Sequence, residues 1–248
     1  MAFKFFMKRP GSEAEKPKIK VTASDKPNII VEKEQSLKTP QVYAFIDASN
    51  LFWGGKESVG FRIDYKKLLS YLQKNFNVTK VFYYGGLRTF EFNYSFEDNK
   101  PMDLSAVEIH LQEKEKEANE KDKVLIQKSL NKINFYRLLE SYGYIMKIKP
   151  AKVFYGEDDE ERELPLLKAN CDVDMSFDMM RYMQQYRGVV AMTGDGDFAP
   201  LLSYLKLHDR TVTVVSRWDR TASEIRQIAG DDFVDFEKLK NVIYLRHY

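Results

Sequence analysis

Val189-Val190-Ala191-Met192-Thr193-Gly194-Asp195-Gly196-Asp197-Phe198, residues 189–198, is the stretch from which the fold can be read. Its first half is a short apolar run, Val189–Thr193, of the kind that forms a strand buried on both faces. Its second half is a glycine- and aspartate-rich turn that cannot continue the strand. A helix is expected next, over Phe198–Leu207, then a strand over Thr211–Ser216, a helix over Ala222–Ala229 and a short strand over Phe233–Phe236. Upstream, the spacing predicts a helix over Val173–Tyr186 that leads into the quoted strand. Strand and helix alternate in the same way from Gln41. Val42–Ile46 and Val78–Tyr84 read as strands, with a helix between them from Tyr65 to about Phe76, capped by Asp64. Tyr144–Ile148 and Val153–Tyr155 are further strand candidates, and Glu157–Glu163 is an acidic loop. Such alternation predicts an α/β fold with a parallel central sheet flanked by helices.

Two segments stand outside this pattern. Residues 1–40 are punctuated by Pro10, Pro17, Pro27 and Pro40 and show no sustained periodicity, so they read as a basic, flexible tail. The region about 90–142 is a charged helical insertion, expected as one long helix from about Ser105 to Tyr142 and ended by Gly143. The organisation is thus a tail over 1–40 and one domain over 41–248.

Composition removes several function classes. The single cysteine excludes an intramolecular disulfide framework and a cysteine-rich zinc module. Three scattered histidines, His110, His208 and His247, argue against a multi-histidine metal site. No apolar window is long enough to span a bilayer, so no membrane association is expected. Phe3, Phe5 and Phe6 are not followed by the apolar stretch and cleavage site of a signal peptide, which makes a reducing cytoplasm the expected location. The 39 basic and 37 acidic side chains leave a net charge of only +2. Bulk charge alone therefore does not hold this chain to nucleic acid. The total hides an asymmetry, because the tail carries +4 and the remainder −2.

In an open α/β sheet, ligands bind beyond the carboxyl ends of the strands. Three acidic segments should meet there. The first strand runs into Asp47, the quoted strand into Asp195 and Asp197, and the helix that precedes that strand must start at the same end, with Asp172 and Asp174. Carboxylates on one rim repel unless a cation lies between them. Hard ions such as Mg²⁺ or Mn²⁺ suit these oxygen donors, and a metal-activated water cleaving a phosphodiester is the matching chemistry. At ~1.5 Å per residue, Asp178 lies about 9 Å deeper along its helix than Asp172, which ranks it below Asp172 and Asp174 as a direct ligand. Asp174, Asp178 and Arg181 also fit a solvated stripe opposite Met175, Met179 and Met183. Asp172 alone could be a helix N-cap.

Four motifs, Ile46-Asp47-Ala48-Ser49-Asn50, the run from Cys171 to Met180, Thr193–Phe198 and the run from Ser223 to Phe233, resemble the LabA-like branch of the NYN-domain family, within the PIN-like nuclease superfamily. The resemblance covers about residues 41–236. It implies a Rossmann-like PIN fold and a divalent-metal endoribonuclease site that leaves 5′-phosphate and 3′-hydroxyl ends. It implies Asp47, Asp172, Asp195 and Asp197 as catalytic and metal-binding residues, supported by Asn50, Asp178 and Thr193. Asp174 falls where the family varies, so the motif favours Asp178 and the depth argument Asp174; both stay open. Lys168-Ala169-Asn170 lacks the glycine that usually leads into the acidic helix.

Single-stranded RNA is the expected partner. Lys56, Arg88, Lys206, Arg217 and Arg220 are candidate phosphate contacts, and Trp218, with Trp53, a candidate stacking surface. The helical insertion could pack on the domain, or serve a homodimer or a protein partner. The competing reading is a catalytically weak or inactive RNA-binding module of the same fold. A small-molecule phosphatase is disfavoured because Asp47-Ala48-Ser49 lacks the second aspartate of the aspartyl-phosphate enzymes.

Overall fold

The computed structural model describes residues 41–49, 61–95, 101–154 and 166–245. The tail, Asn50, Trp53, Lys56 and the acidic loop 157–163 lie outside the described residues. In chain order the elements are β1 (Val42–Asp47), α1 (Tyr65–Phe76), β2 (Val78–Leu87), α2 (Leu104–Glu117), α3 (Glu120–Tyr142), β3 (Tyr144–Pro150), β4 (Lys152–Phe154), β5 (Leu166–Lys168), α4 (Asp172–Arg181), β6 (Gly188–Met192), α5 (Ala199–Leu207), β7 (Thr211–Ser216), α6 (Ser223–Ala229), β8 (Phe233–Asp235) and α7 (Lys240–Ile243).

One sheet of six strands runs in the order β3-β2-β1-β6-β7-β8, and every neighbouring pair is parallel. The chain winds outward from β1 to β3, then returns to the other side of β1 and winds to β8. The order therefore reverses between β1 and β6, which makes their carboxyl ends the place for a binding crevice. β4 and β5 form a separate antiparallel pair, so the strand expected at Val153–Tyr155 does not join the main sheet.

Helices cover both faces, as strands buried on both sides require. One face carries α1, α2, α3 and α7, with Leu68, Leu111, Ile133, Leu139 and Ile243 packed on Ala44, Ile46, Val81 and Met192. The other carries α4, α5 and α6, with Met175, Met179, Leu202 and Ile225 on Phe45, Phe82, Val189 and Val214. Side chains alternate along a strand, so Asp47 follows Tyr43 and Phe45 to the face of α4. Phe45 and Phe82 stack at 5.1 Å beneath it.

The caps explain where elements begin and end. Asp64 accepts the Lys67 amide at 3.0 Å and starts α1, while Asn77 ends it at a left-handed φ of 54°. Gly143 ends α3 at φ 104°, a value that suits glycine. The insertion differs from the single helix expected. Ala118 turns to extended geometry, and Asn119 accepts the Asp122 amide at 2.9 Å. Asn119 thus caps a second helix, with Glu120 and Asp122 favourably placed in its first turn. α2 and α3 fold into a hairpin on the domain itself, joined by Arg137 to Glu108 at 2.7 Å.

Candidate active site

The site is built on a row of residues at the carboxyl rim. β1 places Asp47 beside Tyr84 of β2, and β2 places Tyr84 beside Lys147 of β3. On the other side, Ile46 pairs with Met192, so Thr193 stands next to Asp47. Asp47 Oδ1 accepts the Ser49 amide at 2.9 Å and the Ser49 hydroxyl at 2.7 Å, which turns the chain sharply off the strand.

α4 begins at the same rim. Its N-cap position is Cys171, and Asp172 is the first helical residue; the Asp172 amide donates to Asn170 Oδ1 at 3.0 Å. Asp172 is therefore not the cap. The approach is tight. A Cβ on Gly86 of β2 would meet the Ala169 Cβ at 2.2 Å. Gly86 therefore lets β2 lie this close to the approach to α4.

Cys171 is buried at the start of α4. Burial first pushes its thiol up to about 12, and Asp174, Asp47 and Asp172 add to the rise while Lys149 opposes it. The other donors at this rim are carboxylate oxygens, the kind that match a hard divalent ion. In donor chemistry the site fits such an ion. In spacing it is open: among the described residues, no group of three His, Cys, Asp or Glu side chains stands close enough to hold a metal.

Two lysines pair with carboxylates of α4. Lys147 and Lys149 alternate on one face of β3, about 7 Å apart along the strand, while Asp178 and Asp174 lie one helical turn, about 6 Å, apart on α4. The two spacings match, so the pairs form two rungs. Lys147 Nζ lies 3.0 Å from Asp178, and Lys149 Nζ lies 2.5 Å from Asp174. The lower rung is buried: the Asp178 side chain is 6% exposed, and it also accepts the Tyr84 hydroxyl at 2.9 Å. The upper rung is open to solvent, with Asp174 at 52%. Asp178 is thus not part of a solvated stripe, and it serves to lock α4 against β2 and β3. Burial, with Asp178 adjacent, raises the Tyr84 phenol far above the usual tyrosine range.

The loop after β6 forms the other wall. Thr193 is fully buried, and its hydroxyl accepts the Asp195 amide at 3.2 Å. Asp195 Oδ1 then accepts the Asp197 amide at 3.0 Å and caps the turn Gly196–Phe198, against which α4 packs. Both aspartates are exposed. A Cβ on Gly194 would meet Ser216 Oγ at 2.8 Å and the Arg220 carbonyl at 3.2 Å. Gly194 therefore lets this loop press against the one after β7, where its carbonyl accepts the Ala222 amide at 3.0 Å. The close approach that Gly194 allows is thus taken up by the protein's own backbone.

The expected RNA contacts divide. Trp218 is 53% exposed at the rim, with its ring edge-on to Phe233 at 5.2 Å and the Arg226 guanidinium over it at 5.0 Å. Arg220 is exposed in the same loop. Arg217 is bound to Asp219 at 2.6 Å and to Glu237 at 3.1 Å. Arg88, just past β2, lies over Phe90 at 4.5 Å. Lys206 is not at the rim. It sits in the last turn of α5, which runs down from the rim, and it donates to the Ile228 carbonyl at 2.7 Å near the end of α6.

With the acidic turns, the parallel sheet and the switch point in place, the comparison with known proteins is decisive. The NYN domain matches residues 41–237. The chain belongs to the NYN-domain family. This NYN chain is 24% identical over 201 residues to the low amplitude and bright protein LabA of Synechococcus elongatus, covering 80% of this chain and 85% of the relative. That likeness supports the LabA-like branch. In fold, the NYN chain is similar to a Vibrio parahaemolyticus protein of unknown function, with a TM-score of 0.52 and 16% identity over 85% of this chain and 99% of the other.

Sequence reasoning missed Tyr84, Lys147 and Lys149. The spacing of two lysines, Lys147 within the expected strand Tyr144–Ile148 and Lys149 just past it, was a visible signal. Their partners were not, because the position of β3 beneath α4 is a tertiary fact. Among the described residues no helix is long and apolar enough to cross a membrane.

Proposed function

We propose that this NYN-domain chain is a divalent-metal-dependent endoribonuclease. The observation that carries the reading is that Asp47 ends β1, Asp172 opens α4 and Asp195 stands in the turn after β6, all at the switch point, in a chain of this family. Asp47 and Asp172 would hold the ion, with Asp195 and Asp197 reaching from the next loop. A Mg²⁺ or Mn²⁺ ion there would orient a water toward the scissile phosphate and draw charge from the leaving oxygen.

The chain's own residues do the positioning. Ser49 holds one oxygen of Asp47 through its amide and its hydroxyl. Thr193 and Gly194 fix the backbone from which Asp195 and Asp197 project. Trp218, stiffened by Phe233 and Arg226, offers an indole face on which an unpaired base can stack, which favours single-stranded RNA.

A second reading, a weakly active or inactive RNA-binding module, is favoured by two observations: Lys149 sits on Asp174, and among the described residues no three such side chains stand close enough to hold a metal. Cleavage of single-stranded RNA with Mn²⁺ separates the two. The nuclease loses turnover in EDTA and in Asp195→Asn. The binding module retains RNA in EDTA and shows no turnover in any condition.

A further inference from the structure

We infer that the outer face of α4 joins two copies of this chain, with the two helices antiparallel and Phe177 at the centre of the contact. The inference concerns assembly and does not depend on the ribonuclease reading.

The inner face of α4 is accounted for, since Met175, Asp178 and Met179 are buried against the sheet. The outer face is apolar as well. Val173, Phe177 and Met180 stand at i, i+4 and i+7, so they form one stripe along the helix. They are 75%, 56% and 41% exposed. One exposed apolar side chain is ordinary on a surface, but three in a row along one helix mark an interaction face.

The residues of that face select the occupant. Val173 and Met180 offer no flat ring on which a base can stack, and the exposed carboxylate of Asp174 flanks the stripe, so a nucleic acid strand fits poorly. The charge order fits a second copy. Asp174 and Arg181 are seven residues apart, which puts both on one flank, about 10 Å apart along the axis. Asp174 meets Lys149 through Oδ2, and its half exposure leaves room for a second cation. Arg181 lies over the Tyr182 ring at 5.6 Å and is exposed. When two such helices lie antiparallel about a twofold axis between positions 177 and 178, each Asp174 comes level with Arg181 of the partner subunit. Phe177 then meets Phe177 of the partner subunit, and Val173 falls within about 3 Å along the axis of Met180 of the partner subunit. A parallel pairing in register would set aspartate on aspartate and arginine on arginine. The stripe is thus complementary to its own reverse, as an isologous twofold contact requires.

The pairing also reaches the rim. α4 starts there with Asp172, so the antiparallel arrangement brings Arg181 of the partner subunit to the edge of the acidic site. A ten-residue helix offers less than the about 800 Å² per partner of a standard interface, so the dimer is weak and reversible.

The test is sedimentation equilibrium of the full chain from micromolar to millimolar concentration. Wild type is expected to pass from monomer to dimer. Phe177→Asp should weaken the dimer at least about thirtyfold, the scale of a central anchor residue. Asp174→Arg and Arg181→Asp should each weaken it several-fold, because each sets like charges together twice. The two combined should return to within about threefold of wild type, because the reversed pairs are again opposite in sign. These positions face solvent in the monomer, so the far-ultraviolet circular dichroism of wild type should be retained, which separates dissociation from misfolding. Wild type that stays monomeric, a dimer that Phe177→Asp leaves intact, or a double variant no better than either single variant each overturns the inference. Loss of RNA binding by Phe177→Asp in a chain that is monomeric throughout would assign the stripe to RNA and also overturns it. A dimer lost in the single variants and rescued in the double one sustains it, with or without RNA cleavage.

Discussion

Replacing Asp178 by alanine tests whether the acids of α4 have been sorted correctly. The side chain is buried, accepts the Tyr84 hydroxyl at 2.9 Å and pairs with Lys147 at 3.0 Å. Its removal leaves a buried phenol without an acceptor, which costs about 1–3 kcal/mol. It also breaks a buried ion pair, a loss of about 3–5 kcal/mol in total when the surviving charge cannot escape. The Lys147 side chain is 26% exposed and can regain some water, so the expected loss is near the lower end, about 3 kcal/mol. For a domain of this size that lowers Tm by roughly 6–12 °C. Asp174→Asn removes only a solvent-open pair and should cost about 1 kcal/mol or less. Thermal and urea unfolding measure both. Combining Asp178→Leu with Lys147→Met and Tyr84→Phe removes every stranded polar group and should recover most of the loss. A Tm for Asp178→Ala within a degree of wild type, together with loss of Mn²⁺ binding, would refute the structural role and return Asp178 to the ligand set.

Two further outcomes follow from the structure. Gly194→Ala places a methyl 2.8 Å from Ser216 Oγ, 3.1 Å from Thr221 Oγ1 and 3.2 Å from the Arg220 carbonyl. Part of that contact is backbone, so the loop must shift at a cost of about 1–3 kcal/mol, seen as a lower Tm and slower RNA cleavage; an unchanged Tm would contradict the packing described. Alkaline titration should reveal the buried phenols. Burial, first among the causes, raises Tyr65, Tyr83, Tyr84, Tyr136, Tyr144 and Tyr186 above the usual tyrosine range and Cys171 to about 12. Groups raised in the folded state support it fully below their unfolded pKa, and that support is lost as pH rises. Stability should therefore begin to fall above about pH 9–10, and these tyrosinates should appear together with unfolding. Gradual ionisation of all tyrosines near pH 10 in the native protein would contradict their burial.

Much of the fold was legible because each element carries its own signal. Val42–Ile46 and Val189–Thr193 are continuous apolar runs, and Asp64 and Gly143 mark a helix start and a helix stop that the structure retains. The common rim position of Asp47, Asp172 and Asp174 was legible for a topological reason. A helix that leads into a parallel strand must begin at that strand's carboxyl end. The same topology puts Lys206, in the last turn of the helix that follows β6, at the far end of the sheet. The break at Asn119 was signalled by an Asn followed by Glu120 and Asp122, which the dense charge of the insertion obscured. The burial of Asp178 was not legible, since the depth along its helix lowered its rank as a ligand but could not name Tyr84 or Lys147. Those partners come from β2 and β3, and their place under α4 depends on the strand order of the assembled sheet.

The central claim is that the acidic rim at the β1–β6 switch point cleaves RNA with a divalent ion. The most direct measurement is cleavage of a single-stranded RNA by the full chain in Mn²⁺, beside Asp47→Asn and Asp195→Asn. The account predicts turnover by wild type, its loss in EDTA, and a fall of at least about a hundredfold in each variant, on the scale of removing a group that acts in the transition state. Turnover that is equal in wild type and both variants would contradict it.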